Sequence, residues 1–305
     1  MEFFQQIANA LTQGSIYALI ALGYTMVYGV LRLINFAHGD VYMLGAFFGL
    51  FISRWTGALA LSQSNKSVPI WATALVFAGA MLGSALVGML IERLAYRPLR
   101  AAPRLTALIT AIGVSLLLEY GGQMAFSPDP QPYAALLPNR NLVETPSFSL
   151  SIVQLFIVAA AFALMMALNF LIQKTKVGRA MRAVSLDRAA AQLMGIPTDR
   201  IITFTFALGS ALAAAAGVLN SIYQPSIDPL MGVQVGLRAF VAAVLGGIGN
   251  IYGAVLGGML MAFAETATVA LNLSQYRDAV AFAILILVLI VRPAGILGRN
   301  VAEKV

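Results

Sequence analysis

Residues 150–182 read LSIVQLFIVAAAFALMMALNFLIQKTKVGRAMR. The stretch Leu150–Ile172 is 23 residues long and carries no charge, and Lys174, Lys176, Arg179 and Arg182 follow it at once. About 20 mostly apolar residues are needed to cross about 30 Å of hydrocarbon. The pattern recurs over Ile7–Leu31, Val41–Leu61, Val68–Leu90, Leu105–Phe126, Ile201–Leu219, Val233–Gly249, Ile251–Leu271 and Tyr276–Val291. It predicts an all-α, polytopic helical membrane protein with 8–9 transmembrane or re-entrant segments, folded as one domain over 1–305. Composition agrees, with 60% hydrophobic and 10% charged residues and a mean hydropathy of +0.86. Soluble chains carry about a quarter charged residues.

The net charge of +7 sits in three clusters: Arg93–Arg104 with four Arg, Lys174–Arg200 with six basic residues, and Arg292–Lys304 with three. All flank apolar stretches, as cytoplasmic loops do under the positive-inside rule. The basic excess is therefore read as topology, with lipid and not nucleic acid as the surrounding partner. The C-terminus is then expected in the cytoplasm, and residues 127–149 outside. Residues Met1–Gln6 contain no Lys or Arg, unlike the basic start of a cleaved signal, so the first apolar stretch is expected to be a retained helix.

The outer loop holds Pro128, Pro130, Pro132, Pro138 and Pro146, a density that favours stiff, extended backbone. It is a passive connector or a docking surface, with Pro128, Pro130 and Pro132 as candidate contacts. Small residues repeat four apart at Gly45/Gly49, Gly79/Gly83, Gly209/Ala213/Gly217 and Gly249/Gly253/Gly257. In lipid this spacing lets helix backbones approach closely.

The search for catalytic residues is mostly negative. The chain has no Cys, which excludes disulfides and thiolate chemistry, and its one His is His38. A His-based metal site or a Ser–His pair elsewhere lacks its members. The only Lys-Ser/Thr pairs, Lys66-Ser67 and Lys174-Thr175, follow Asn65 and Gln173 where a P-loop needs Gly. Glu119, Glu265 and Arg238 lie in apolar stretches and serve either as a relay or as pairs inside the bundle. Asn35, His38, Gly246 and Gly247 are candidate helix breaks along a translocation pathway. A turn and cap before Val41 would equally explain Asn35, Gly39 and Asp40.

Between two spans lies Gly178–Arg200. Ala183, Leu186, Ala190, Leu193 and Met194 fall on one helical face, and Arg182, Ser185, Arg188 and Gln192 on another. Gly195 followed by Pro197 is a stop signal, and Thr198 or Asp199 is placed to cap the next helix. One short amphipathic helix is expected, resting on headgroups or fitting a groove on another protein.

This segment resembles the coupling loop of permeases in binding-protein-dependent ABC importers, through Ala190-Ala191-Gln192-Leu193-Met194-Gly195. Ala189 stands where those permeases often have an acidic residue, and Gly195-Ile196-Pro197 replaces the usual Ile-x-Leu-Pro. Both departures resemble the branched-chain amino-acid, LivH-type permeases. That family is also similar in Ala21–Val30 running into Ile34–Asp40, and in Ala243–Asn250 followed by Gly253–Gly257.

The resemblance implies a non-enzymatic transport subunit in a bacterial inner membrane, moving Leu, Ile or Val by alternating access. It implies a second related permease, two cytoplasmic ATPases that bind ATP and Mg, and a periplasmic amino-acid-binding protein. No cofactor or metal is expected in this chain. Within the coupling loop 173–200 it points to Gly178, Arg179, Arg182, Leu186, Arg188, Ala190, Ala191, Leu193, Gly195 and Ile196 as ATPase contacts. Carriers of urea or short amides share such scaffolds. An ion-coupled secondary transporter or channel is the rival class.

Overall fold

The computed structural model describes residues 2–298 except 65, 101, 139, 146 and 147. Pro146 of the proline-rich loop, and Arg299 and Lys304 of the last basic cluster, lie outside the described residues. Every apolar stretch forms a helix. In order these are α1 (Glu2–Leu31), α2 (His38–Trp55) with a short α3 (Ala58–Gln63), α4 (Ile70–Ile91) and α5 (Arg104–Phe126). Then come α6 (Ile152–Lys174), the connecting α7 (Lys176–Leu186) and α8 (Arg188–Leu193), and α9 (Thr198–Tyr223). The chain closes with α10 (Met231–Gly246), α11 (Ile251–Ala270) and α12 (Arg277–Val291). Among the described residues seven helices are long and apolar enough to cross a membrane. The 18-residue α2 and 16-residue α10 fall outside that set and pack in the interior. This is a polytopic helical membrane protein.

The central helices bury both large and small side chains. α1, α2 and α9 form the centre, where Ile16–Leu22 and Ala213–Ala216 are fully buried. Small residues sit there because lipid offers no hydrophobic drive, so close backbone contact supplies the packing energy. Gly45 lies against Ala214, Gly217 against the Tyr42 carbonyl, and Gly257 against the Ala242 carbonyl. The four-residue spacing thus marks real helix contacts. The outer helices turn large apolar side chains outward, including Leu82, Leu86 and Leu90 of α4 and Phe162 and Phe170 of α6.

The basic clusters, so far as they are described, share one end. Arg32, Arg100 and Arg188 line one cavity, and residues 296–297 donate backbone hydrogen bonds to the end of α10. At the opposite end the proline-rich loop is folded down rather than free. Strand β1 (Gln131–Pro132) pairs antiparallel with β4 (Ser226–Ile227), and β2 (Asn141–Thr145) pairs with β3 (Phe148–Ser151). Tyr133, Ala134 and Leu136 are buried beneath it. Pro128, Pro130 and Pro132 remain on the exposed side.

α1 is a single unbroken helix, but the chain after it re-enters the bundle. The His38 ring fills the space that a side chain at Gly23 would take. Gly23 lies eight residues before the end of α1, about 12 Å at 1.5 Å per residue. So α2 starts within the bundle, after the non-helical residues 32–37. α10 starts against it: Gly236 and the Gly232 carbonyl leave no room for a side chain at Gly39.

Candidate functional site at the basic end

The loop between α6 and α9 is held rigidly by local chemistry. Thr175 caps α7, its hydroxyl accepting from the Gly178 N–H at 3.0 Å. Gly178 is required because its α-carbon lies against the Leu171 and Ile172 carbonyls at the end of α6. Arg182 donates from its guanidinium to the Ile172 carbonyl. It thus closes the α6–α7 joint and is not a free rim charge. Met181 and Val184 are buried on the inner side of α7.

The expected single amphipathic helix is two helices. Asp187 adopts extended backbone (φ −150°, ψ 112°) and caps α8, accepting from the Ala190 N–H at 2.9 Å. A helix cannot run through a residue whose side chain caps the next one. Gly195 ends α8 at φ +80°, with Ile196 N–H bonded to the Ala191 carbonyl and Gly195 N–H to that of Gln192, both at 3.0 Å. This left-handed stop is the one that Gly195 and Pro197 predict. The cap assigned to Thr198 or Asp199 is absent: Pro197 precedes α9 and no side chain caps it. Asp199 is engaged elsewhere.

The break sorts the predicted contact residues. Leu186 (83% exposed), Leu193 (88%) and Met194 (82%) project outward with Ala190, while Ala191 and Gly178 are buried. Arg179 and Arg188 are exposed and Ile196 is half-buried. The result is an outward apolar face with basic neighbours, on two capped helices.

Beneath it lies an ionic cluster that the sequence reading missed. Glu92 is 0% and the Arg100 side chain 7% exposed, and the two are paired. Thr203 donates its hydroxyl to Glu92 at 2.7 Å. Asp199 accepts from Arg97, from Arg100 at 2.5 Å, and lies 3.6 Å from Arg188 of α8. Glu92 belongs to a π-helical turn, Glu92–Tyr96, that continues α4. Glu92 directly precedes the four arginines of the Arg93–Arg104 cluster in sequence, but charge spacing alone points only to topology.

Of the pathway candidates, Asn35 and His38 sit together at the α1–α2 break, both buried. The His38 ring meets Tyr24 edge-on at 4.6 Å, and its Nε2 has no hydrogen-bond partner among the described residues. Gly246 and Gly247 lie elsewhere, packed on Gly253 and on residues 294–298 respectively. Buried Asp40, in the first turn of α2, accepts from Ser115, whose hydroxyl also lies 3.3 Å from Glu119. Glu265 is fully buried between Arg277 (3.1 Å) and Arg238 (3.7 Å), with the Tyr17 hydroxyl donating at 3.0 Å. Arg238 also pairs with Asp278 at 2.6 Å. Glu265 is therefore an interior pair, the second of its two readings. Among the described residues no three His, Asp or Glu side chains gather as a metal site requires.

The fold and site together are those of a polytopic helical membrane protein with a projecting helical loop at its basic end. The profile of the family described as "Branched-chain amino acid transport system / permease component" matches residues 6–289, and this chain belongs to that family. It is 44% identical over 308 residues to the "High-affinity branched-chain amino acid transport system permease protein LivH" of Salmonella typhimurium, covering 100% of this chain and 98% of the relative. It is 43% identical to the corresponding permease protein BraD of Pseudomonas aeruginosa, again over 100% and 98%. The "Ribose import permease protein RbsC" of Haemophilus influenzae is 28% identical, over 94% of this chain and 85% of that one.

Proposed function

We propose that this chain is one of two related permease subunits in a binding-protein-dependent ABC importer for branched-chain amino acids. Its basic end faces the cytoplasm of a bacterial inner membrane, as the positive-inside rule directs, and its C-terminus lies there too. Two partner ATPases bind ATP and Mg, and the α7–α8 loop transmits their motion. A periplasmic amino-acid-binding protein docks at the proline-rich end. The observation that carries this reading is the outward face of Leu186, Ala190, Leu193 and Met194. Such a face on rigid, capped helices suits a groove on another protein. Pathway residues are proposed at the α1–α2 break, with Asn35 and His38 foremost. Ligands drive the switch only through unequal affinity for its two states.

The substrate class is supported by full-length relatives at 44% and 43% identity whose names carry it. The test is affinity purification in mild detergent, followed by reconstitution of the recovered complex. Co-purified ATPases and a second permease, with ATP-dependent leucine uptake competed by isoleucine and valine, are expected. Competition by urea or ribose instead would reassign the substrate. Uptake by the chain alone under a proton or sodium gradient would overturn the importer reading.

A further inference from the structure

Between the end of α4 and the start of α9 lies a groove of about 640 Å³. One wall is apolar, built from Met89 of α4 and Phe204 and Ala207 of α9, and the lip carries Arg97 and Arg200 beside the Asp199 carboxylate and the Thr198 and Thr203 hydroxyls. We propose that it binds an anionic glycerophospholipid, the phosphate at the arginine lip and an acyl chain along the apolar wall.

Three separate observations support this. The first is charge. Arg97, Arg100 and Arg188 converge on Asp199, and Arg100 also neutralises Glu92, so three cations face two anions. Arg200 adds a fourth, exposed and without an ion pair among the described residues. The second is the start of α9, a 26-residue helix with no side-chain cap. Its first N–H groups and the helix dipole favour negative charge where the groove opens, beside the Asp199 that the first turn already carries. The third is depth. Arg200 and Phe204 lie four residues apart on the exposed side of α9, and Leu82, Leu86 and Leu90 face outward on α4. The groove therefore continues a lipid-facing surface at the end where anionic headgroups meet basic pockets between helices. A soluble anion would use the lip and leave the apolar wall empty.

Gln192 of α8 and Ile196 also line the groove, so a lipid there would touch the projecting loop and brace it against α9.

The test is native mass spectrometry of the full-length chain, titrated with phosphatidylglycerol or phosphatidylcholine. Wild type should retain one phosphatidylglycerol in preference to phosphatidylcholine. Each arginine near an anionic lipid is worth about fivefold in affinity, so Arg97→Gln with Arg200→Gln should weaken retention by about 25-fold. Arg93→Gln removes the same charge from an exposed residue of the π turn that does not line the groove, and should retain the lipid. Ala207→Trp, which fills the apolar wall and keeps both arginines, should also lose it. Equal retention by wild type and the double variant, or equal binding of phosphatidylcholine, would overturn the proposal. Displacement of the lipid by millimolar inorganic phosphate would do so too, making the lip a site for free anions. Displacement by added ATPase would assign the groove to the protein partner.

Discussion

The Tyr96 hydroxyl donates a hydrogen bond to the Asn35 side-chain oxygen across 2.9 Å, and both residues are buried. Tyr96 closes the π turn that begins at Glu92, and Asn35 lies in the non-helical segment before α2. From Asn35 a line of contacts leads through that turn to Glu92, Arg100, Asp199 and finally Arg188 of α8. The projecting loop and the helix break, 153 residues apart in sequence (188 − 35), are thus joined by polar groups.

Tyr96→Phe tests that joint. The ring keeps its packing on Phe206 at 5.2 Å, but the Asn35 oxygen loses its donor. A buried acceptor left unsatisfied costs about 1–3 kcal/mol. The variant should insert normally, melt at lower temperature, and show reduced uptake per ATP hydrolysed. Unchanged coupling would confine the hydrogen bond to a structural role.

Glu92→Gln should be the most destabilising change at the basic end. It leaves the buried Arg100 with only the half-exposed Asp199 as counter-ion, and removing one partner of a buried pair costs up to about 3–5 kcal/mol. Adding Arg100→Met removes the stranded charge and should recover part of the loss. Asp199→Asn should be milder, because its side chain is 43% exposed, water can solvate Arg97 and Arg188, and Arg100 keeps Glu92. Thermal unfolding in detergent would rank the three variants, and equal melting temperatures would refute the ranking.

The helices were legible because about 20 apolar residues leave the chain in a bilayer few choices. The glycine spacings were legible for the same reason, and so was the stop at Gly195. The break at Asp187 was missed although its signal was present: an Asp three residues before Ala190 is an N-cap signature, and helical periodicity was read across it. The inward start of α2 was not legible, since it depends on Gly23, Gly39 and Gly232 coming together from three helices. The interior pairing of Glu265 needed the fold as well, because its partners Tyr17, Arg238 and Arg277 come from three other segments.

At the opposite end, Pro128→Ser with Pro130→Ser should weaken stimulation by the binding protein without disturbing the fold. Both prolines are exposed and precede the β1–β4 ladder, which Gln131 and Pro132 form without them. Loss of their stiffness raises the entropy cost of ordering the loop on a partner. ATPase stimulation measured against binding-protein concentration would show a higher half-maximal concentration. An unchanged curve with normal expression would make the segment a connector.

The sharpest test of the coupling surface is Ala190. Its side chain is exposed, as are those of Leu186 and Leu193, so a tryptophan there projects outward from this chain. Insertion and melting temperature should stay at wild-type values. If an ATPase groove closes over this face, the larger ring overpacks the contact at a cost of about 1–3 kcal/mol. A helix that merely rested on headgroups would absorb the change, because lipid rearranges. Ala190→Trp should therefore release the ATPases and abolish uptake. Gly195→Val should act alike by another route, since a β-branched residue at φ +80° is strained and the turn that positions Leu193 and Met194 would open. Gly195 has open space around it, so that effect would come from backbone conformation and not from a clash. Full transport by Ala190→Trp, with ATPases still bound, would show that α8 is not the coupling element.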